Sequence, residues 1–234
     1  MLSILLDILV PARCAACGNP AGSRDNYLCG NCSGRIPFLT NSCPVCSGEL
    51  SGGTCTVCAE RHWYLTRNIT VAEYSGVMKK IIRSLKFNKL QRIHIGLGVI
   101  ALEEISRHHI VADLITWVPM NSGKKRRRGF NQSELIAKRL SRATGVPCVP
   151  LLREKRNMRA QRELGLRDRF LNALNRYAMA PRRHLSGQTI LIVDDIFTTG
   201  ATINECARIL RAAGAKQVIS LTIARADIKT LEKF

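Results

Sequence analysis

The chain has 234 residues, and its composition, with 46% hydrophobic and 23% charged side chains, is typical of a folded protein and argues against a disordered one. The length suits one sizeable α/β domain joined to a smaller module. The net charge of +19 lies in the C-terminal part, because residues 1–65 contain four basic and four acidic side chains. This charge favours a polyanionic partner, either the phosphates of a small ligand or a nucleic-acid backbone. The alternative is a basic surface that serves only solubility.

The first segment, "MLSILLDILVPARC", resembles an export signal only superficially. It lacks a basic beginning, Asp7 interrupts its apolar run, and Arg13 stands where a small residue should precede a lipidated Cys14. We predict a short helix that packs on the protein. Since no other stretch approaches the ~20 apolar residues of a membrane span, we expect a cytoplasmic protein.

Cysteine pairs of the form C-x-x-C occur four times between residues 14 and 58. The intervening Gly, Pro, Ser and Asn residues cannot bury a core, so metal binding must supply the folding energy. Each pair presents two thiolates to one ion, which predicts two structural Zn²⁺ sites rather than an iron–sulfur cluster or a redox dithiol. Sequential pairing gives the two groups below, although interleaved pairing stays open. The predicted ligands are Cys14, Cys17, Cys29 and Cys32 for one site, and Cys43, Cys46, Cys55 and Cys58 for the other.

These sites leave no coordination position open for catalysis, so we assign residues 1–65 to a double zinc-ribbon module with a structural or contact role. From residue 66 onwards the sequence alternates between predicted strands and helices, which indicates parallel crossovers in a doubly wound sheet over 66–234. The predicted strands are 68–74, 113–119, 188–193 and 217–224. The predicted helices are 76–87, 95–109, 132–145, one near 170–177 and 203–214, with a basic loop before 132.

The stretch "ILIVDDIFTTGAT", residues 190–202, combines a predicted buried strand, two acids and a hydroxyl-rich turn before a helix. Backbone N–H groups, hydroxyls and a helix N-terminus suit one phosphate, and the turn lacks the lysine of a Walker loop. Asp194 and Asp195 can hold vicinal sugar hydroxyls or the water molecules of Mg²⁺. Phosphate and diol together describe a ribose 5-phosphate, whereas the structural alternative is a solvated acidic turn.

The run "VDDIFTTGAT" resembles the 5-phosphoribosyl-1-pyrophosphate (PRPP) motif of type I phosphoribosyltransferases. The chain resembles the ComF family of competence-associated, phosphoribosyltransferase-like proteins in the order of four features. These are the cysteine pairs, then "YSGVMKKIIRSLKF", then "VPMNSGKKRRRGFNQSELIAKRL" and finally "VDDIFTTGAT". One departure is Met158, where the family commonly has Thr. The resemblance implies a type I phosphoribosyltransferase fold, Rossmann-like with a parallel sheet, behind the double zinc ribbon.

The resemblance also implies a site. Asp194 and Asp195 are the expected catalytic residues, with Mg²⁺ entering together with PRPP. The segment 153–169 resembles a mobile loop that closes over PRPP, with Arg156, Gln161, Arg167 and Arg169 as its marked residues. The expected PRPP- and phosphate-binding residues are Lys86, Pro119, Arg128, Thr198, Thr199, Gly200, Ala201 and Thr202.

Two functions fit this resemblance. One is a Mg²⁺-dependent phosphoribosyltransferase that releases pyrophosphate and acts on an acceptor that the sequence does not identify. The other is a non-catalytic PRPP-sensing or single-stranded-DNA-binding module of the DNA-uptake machinery, whose partners are DNA and DNA-uptake proteins. The charge of +19 exceeds what one PRPP requires, whereas aromatic residues for base stacking are few, at 5%.

Overall fold

The computed structural model describes residues 12–21, 27–59, 61–87, 90–155, 175–180 and 184–226. The N-terminal helix expected from the first segment lies almost entirely outside these ranges. In chain order the elements are α1 Gly30–Ser33, α2 Thr56–Ala59, β1 Arg67–Glu73, α3 Gly76–Phe87, α4 Ile93–Arg107, β2 Leu114–Trp117, α5 Ser122–Arg128, α6 Gln132–Thr144, β3 Leu152–Glu154, β4 Tyr177–Met179, β5 Thr189–Phe197, α7 Ala201–Ala212 and β6 Gln217–Arg225.

Four parallel strands form the central sheet in the order β1-β6-β5-β2. Strand β5 has apolar side chains on both of its faces, since Leu191 and Val193 belong to one core cluster and Ile190 and Ile192 to the other. Side chains alternate between the two faces of a strand, so a sheet of this kind must be covered on both sides. The predicted α/β fold with a parallel sheet is therefore confirmed.

Helices cover the two faces of the sheet. Helices α3, α4 and α6 bury their apolar residues in the first cluster, while α7 and the antiparallel hairpin β3–β4 pack in the second. The alternation of strands and helices was predicted correctly, with the ends of the elements shifted. None of the helices in the described ranges has the length and apolar character needed to span a bilayer.

Three sequence predictions were wrong in detail. The basic segment before residue 132 is the helix α5, because the Asn121 side chain accepts a hydrogen bond from the backbone of Gly123 and Gly129 ends the helix at φ 87°. Strand β5 continues through both aspartates to Phe197, because its pairing with β6 continues as far as Arg225. The helix expected near 170–177 does not include Tyr177, which lies in β4; its first residues, 170–174, fall outside the described ranges.

The cysteine-rich part packs against both faces of the sheet. Cys14 and Cys32 belong to the first core cluster, and Cys43 and Cys46 belong to the second. Between them the chain passes along β1, where the backbone of Leu39 donates to Val71 and that of Asn68 donates to Pro44. We propose that the boundary between the module and the sheet domain lies between residues 65 and 66, just before β1.

Candidate functional site

A cavity of about 640 Å³ opens at the carboxyl ends of β2 and β5. This is the edge at which parallel α/β sheets generally bind ligands. Helices α3, α5 and α6 and the hairpin β3–β4 supply the remaining walls. Six of the residues predicted for the site line this cavity, namely Lys86, Pro119, Arg128, Asp194, Asp195 and Thr202.

The two aspartates are held by the first turn of α6 and by α3. Asp194 Oδ1 accepts hydrogen bonds from Ser133 Oγ at 2.9 Å and from the backbone N–H of Asp195 at 2.8 Å. Asp195 Oδ2 accepts from Gln132 Nε2 at 2.7 Å and lies 2.8 Å from the Lys86 ammonium. Lys86 is thus the counter-ion of an acid that follows it by more than a hundred residues in the chain.

Burial affects the charge of this pair. Desolvation, together with the neighbouring charge of Asp195, raises the pKa of Asp194 to about 7, although the bond from Ser133 acts in the opposite direction. The carboxyl of Asp194 therefore changes its charge near neutral pH. Gln132 lies beside the pair with 1% of its surface exposed, and its Oε1 has no hydrogen-bond partner among the described residues.

Helix α5 presents cations to the opposite wall. Lys124, Arg127 and Arg128 all line the cavity. Burial, and secondly the positive charge of Arg176, lowers the pKa of Lys124, and burial also lowers the pKa of Arg128. Cations that are partly desolvated and close to one another are stabilised by an anionic ligand, so this wall suits phosphate oxygens.

The predicted phosphate turn, Thr198–Thr202, forms the end of β5 and the start of α7. Thr202 reaches the cavity, whereas Thr199, Gly200 and Ala201 are buried behind it and Thr198 is half-buried. Gly200 has φ 76°, and a Cβ there would lie 2.5 Å from Cζ of Phe197. Both the backbone conformation and the lack of space therefore require glycine at this position.

The residues marked for the mobile loop, Arg156, Gln161, Arg167 and Arg169, lie outside the described residues. Two residues that flank this segment line the cavity. They are Glu154 in β3 and Arg176 just before β4, and they form an ion pair at 2.9 Å.

Sequence reasoning missed several lining residues. Gln132 and Ser133 begin α6, and Asn131 caps this helix by accepting a bond from the Ser133 backbone at 3.0 Å. Glu154, Arg176 and Tyr177 come from a hairpin that was not predicted. Amides and hydroxyls have no distinctive spacing in a sequence. The available signal was the position of residues 131–133, which begin a helix directly after a strand and a basic segment.

The eight paired cysteines form two separate groups away from the cavity. Within each group the four Sγ atoms lie within 4.8 Å of one another, and the pairing is sequential: Cys14, Cys17, Cys29 and Cys32 in one, and Cys43, Cys46, Cys55 and Cys58 in the other. Tetrahedral Zn²⁺ with Zn–S bonds of about 2.3 Å separates sulfurs by about 3.8 Å. The closest Sγ pairs, at 3.4–3.7 Å, fit this geometry.

We expect two zinc ions per chain in freshly purified protein. Elemental analysis by mass spectrometry, normalised to protein concentration, measures this directly. The variant Cys17→Ser/Cys29→Ser and the variant Cys55→Ser/Cys58→Ser should each lose one ion, because each disrupts one group of four thiolates. Iron in place of zinc, or less than one zinc ion per chain, would contradict the assignment.

Comparisons with known proteins agree with this architecture. A family model described as "Double zinc ribbon domain" matches residues 5–60, and one described as "Phosphoribosyl transferase domain" matches residues 127–233. Competence protein F of Haemophilus influenzae is 26% identical over 223 residues, which cover 92% of this chain and 97% of that protein.

Two further relatives align along similar lengths. The DNA utilization protein YhgH of Escherichia coli K12 is 29% identical over 221 residues, covering 90% of this chain and 96% of that protein. Competence protein ComFC of Bacillus subtilis is 27% identical over 216 residues, covering 86% and 85%. The two family models thus match this chain in order, with a double zinc ribbon ahead of a type I phosphoribosyltransferase domain, and most of the chain is similar to the competence and DNA utilization proteins named above.

Proposed function

We propose that the cavity at the ends of β2 and β5 binds PRPP, and that the protein transfers its phosphoribosyl group to an acceptor with release of pyrophosphate. The observation that carries this proposal is the placement of two acids and the start of α7 opposite the cationic wall of α5. The two sides are complementary to the sugar phosphate and the pyrophosphate of one ligand.

Each part of PRPP has a proposed set of contacts. The turn Thr198–Thr202 and the N-terminus of α7 hold the 5-phosphate, because the first N–H groups of a helix have no partner within the helix. Asp194 and Asp195 accept hydrogen bonds from the two ribose hydroxyls. Pro119 and Arg128 contact the pyrophosphate, with Lys86 adding positive charge to the same cavity.

The proposed reaction is a displacement at C1 of the ribose. The bond from C1 to the pyrophosphate oxygen breaks, its electron pair leaves with pyrophosphate, and the lone pair of the acceptor forms the new bond to C1. The protein contributes positioning and stabilisation of the leaving negative charge by Arg128 and its neighbours. Mg²⁺ bound to PRPP would neutralise further charge on the pyrophosphate, with its water shell held by Asp194 and Asp195.

Calorimetric titration of the parent protein with Mg²⁺–PRPP, ribose 5-phosphate and pyrophosphate tests the binding proposal. Arg128→Gln should weaken PRPP and pyrophosphate and spare ribose 5-phosphate. Release of pyrophosphate is then measured over a panel of bases, nucleotides and oligonucleotides. A protein that binds PRPP and releases no pyrophosphate with any acceptor of the panel contradicts the transfer step alone, and one that does not bind PRPP contradicts the whole proposal.

A second candidate function is binding of single-stranded DNA. It is favoured by a second cavity, of about 560 Å³, which shares Pro119, Met120, Asn121, Asn131 and Glu154 with the first. Trp117 lies in its wall, with the Lys138 ammonium 5.9 Å from the ring centroid. An aromatic side chain beside cations suits a base and its phosphate. Among the described residues the other cations that line this cavity are Lys125, Arg153 and Lys155; Glu134 and Glu154 line it as well, and Glu134 is paired with Lys125 and Lys138.

If DNA binds here, replacing Lys124, Lys125 and Arg126 with alanine should reduce the salt dependence of binding. These residues lie on α5, which has no buried residue. The slope of log K against log salt should fall by up to about three phosphate contacts. Fluorescence anisotropy with a labelled oligonucleotide measures the slope.

A matched control removes the same charge elsewhere. Arg107, Arg142 and Lys216 are exposed and lie at the opposite end of the sheet. Their triple replacement with alanine should leave the slope closer to that of the parent. Equal slopes for all three proteins would mean that α5 does not contact DNA.

A further inference from the structure

The segment 61–64, which joins the second cysteine group to β1, crosses the buried part of the phosphate turn. The Arg61 Nη1 donates a hydrogen bond to the backbone oxygen of Thr199 at 3.2 Å. Trp63 covers Gly200, since a Cβ at that position would lie 2.6 Å from Cη2 of the indole. The indole also packs on Phe197, with 6.1 Å between the ring centroids.

Asn204, on the first turn of α7, forms hydrogen bonds with the backbone of this segment. Its Oδ1 accepts a hydrogen bond from the backbone N–H of Tyr64 at 2.7 Å, and its Nδ2 donates to the backbone oxygen of His62 at 3.0 Å. The backbone N–H of Asn204 donates a hydrogen bond to the backbone oxygen of Gly200 at 2.8 Å. One buried side chain thus connects the segment to the helix whose N-terminus faces the cavity.

The same region is tied to the second cysteine group at two points. The backbone N–H of Arg61 donates to Cys58 at 3.3 Å. Arg225 donates from Nη1 to the backbone oxygen of Cys46, and its guanidinium lies 5.5 Å from the ring centroid of Phe197. By contrast, the first group contacts α3, where Ser84 Oγ donates to the backbone oxygen of Ala15 at 2.9 Å.

We propose that residues 61–64 and Asn204 are a clamp that positions the phosphate turn, and that zinc in the second cysteine group holds this clamp in place. The proposal rests on the proposed function, because it assumes that the turn binds a phosphate monoester. Backbone N–H groups bind phosphate well when the turn that carries them is already fixed. None of the clamp residues lines the cavity, so they act through the turn and not on the ligand.

Ribose 5-phosphate is the probe, because it contains the phosphate monoester and lacks the pyrophosphate. Asn204→Ala should lower the affinity for ribose 5-phosphate by about tenfold and leave the affinity for pyrophosphate within about twofold of that of the parent. Asn204→Asp keeps the acceptor for Tyr64 but places a negative charge against the backbone oxygen of His62 and close to the phosphate turn, so it should not restore the affinity. Ser141→Ala is the matched control: it removes one hydrogen bond, to Val146 at the far end of α6, and should leave ribose 5-phosphate binding unchanged.

Two double variants distinguish the effects of the two cysteine groups on ribose 5-phosphate binding, and the zinc content of each variant is measured. Cys55→Ser/Cys58→Ser should lose ribose 5-phosphate binding, whereas Cys17→Ser/Cys29→Ser should retain it within about twofold. If either variant does not fold, the Asn204 series decides the outcome without it.

Trp63 supplies a spectroscopic signal from the clamp itself, measured under conditions in which every variant is folded. Its Nε1 is buried, and no hydrogen-bond partner for it is found among the described residues. The emission of the parent minus that of Trp63→Phe isolates this indole. Because the clamp is proposed to be in place before ligand binds, we expect Asn204→Ala to shift this difference spectrum in the ligand-free protein, and bound ribose 5-phosphate to reverse part of the shift.

Three outcomes would overturn the clamp. They are unchanged ribose 5-phosphate affinity in Asn204→Ala, equal losses in the two cysteine double variants, and a Trp63 difference spectrum that Asn204→Ala leaves unchanged. A parent protein that fails to bind ribose 5-phosphate and PRPP is a different result, because it refutes the proposed function and the clamp together.

Discussion

Replacing both Asp194 and Asp195 with asparagine is expected to lower PRPP affinity by about a hundredfold or more while the fold persists. A charge-assisted hydrogen bond contributes about 1.5–3 kcal/mol, and each acid is proposed to make one to the ribose. Asparagine keeps the size of the side chain and can still accept from Ser133 and Gln132, which now bond to the two carboxylates. Calorimetric titration with Mg²⁺–PRPP measures the loss.

Asp113→Asn is the matched control for this experiment. Asp113 precedes β2 at the opposite end of the sheet, and its Oδ2 accepts a hydrogen bond from the backbone of Thr189 at 2.7 Å. The substitution removes one carboxylate from the same domain and should leave PRPP binding unchanged. If the double variant is folded and binds PRPP as tightly as the parent, the two acids serve only the structure.

The sequence was sufficient for the sheet because the physical signal is local. In β5, consecutive apolar residues must be buried on both faces, and this alone indicates a parallel sheet between helices. The same pattern ended the predicted strand at Val193, because charged residues interrupt it. The backbone pairing with β6 does not depend on side-chain polarity, so the strand continues past Asp194 to Phe197.

Helix α5 shows a different limit of sequence reasoning. Its seven residues contain no apolar side chain, so hydrophobic periodicity cannot reveal it. The helix is defined by its ends, where Asn121 caps the first turn and Gly129 adopts the left-handed conformation. Both signals were present in the sequence, but they are weak when the segment between them has no buried face.

The two walls of the cavity were predictable because the carboxyl ends of parallel strands meet at one edge of the sheet. The pairing of Lys86 with Asp195, and of Asn204 with the segment 61–64, was not predictable from the sequence. These contacts join residues about 110 and 140 positions apart, and nothing in a local pattern specifies which polar side chain meets which. They depend on how α3 and the zinc module pack on the sheet.

The stability of the ligand-free protein should depend on pH through Asp194. Burial and the charge of Asp195 raise the pKa of this carboxyl from its ordinary 3.8 to about 7 in the folded protein. Between these two values the unfolded chain has lost the proton that the folded chain retains. The free energy of unfolding therefore falls as pH rises through this window, and a shift of about 3 units corresponds to about 4 kcal/mol in total.

Asp194→Asn removes this dependence, because asparagine does not titrate. Between pH 5.5 and 8 the stability of the variant should rise relative to that of the parent by about 2 kcal/mol, with most of the change below pH 7. Denaturant unfolding of both proteins at each pH, in buffer containing zinc, measures the difference, and contributions shared by the two proteins cancel. A difference between Asp194→Asn and the parent that stays constant across this range would mean that Asp194 is already ionised at pH 5.5, and that Ser133 and the Lys86 ammonium outweigh the effect of burial.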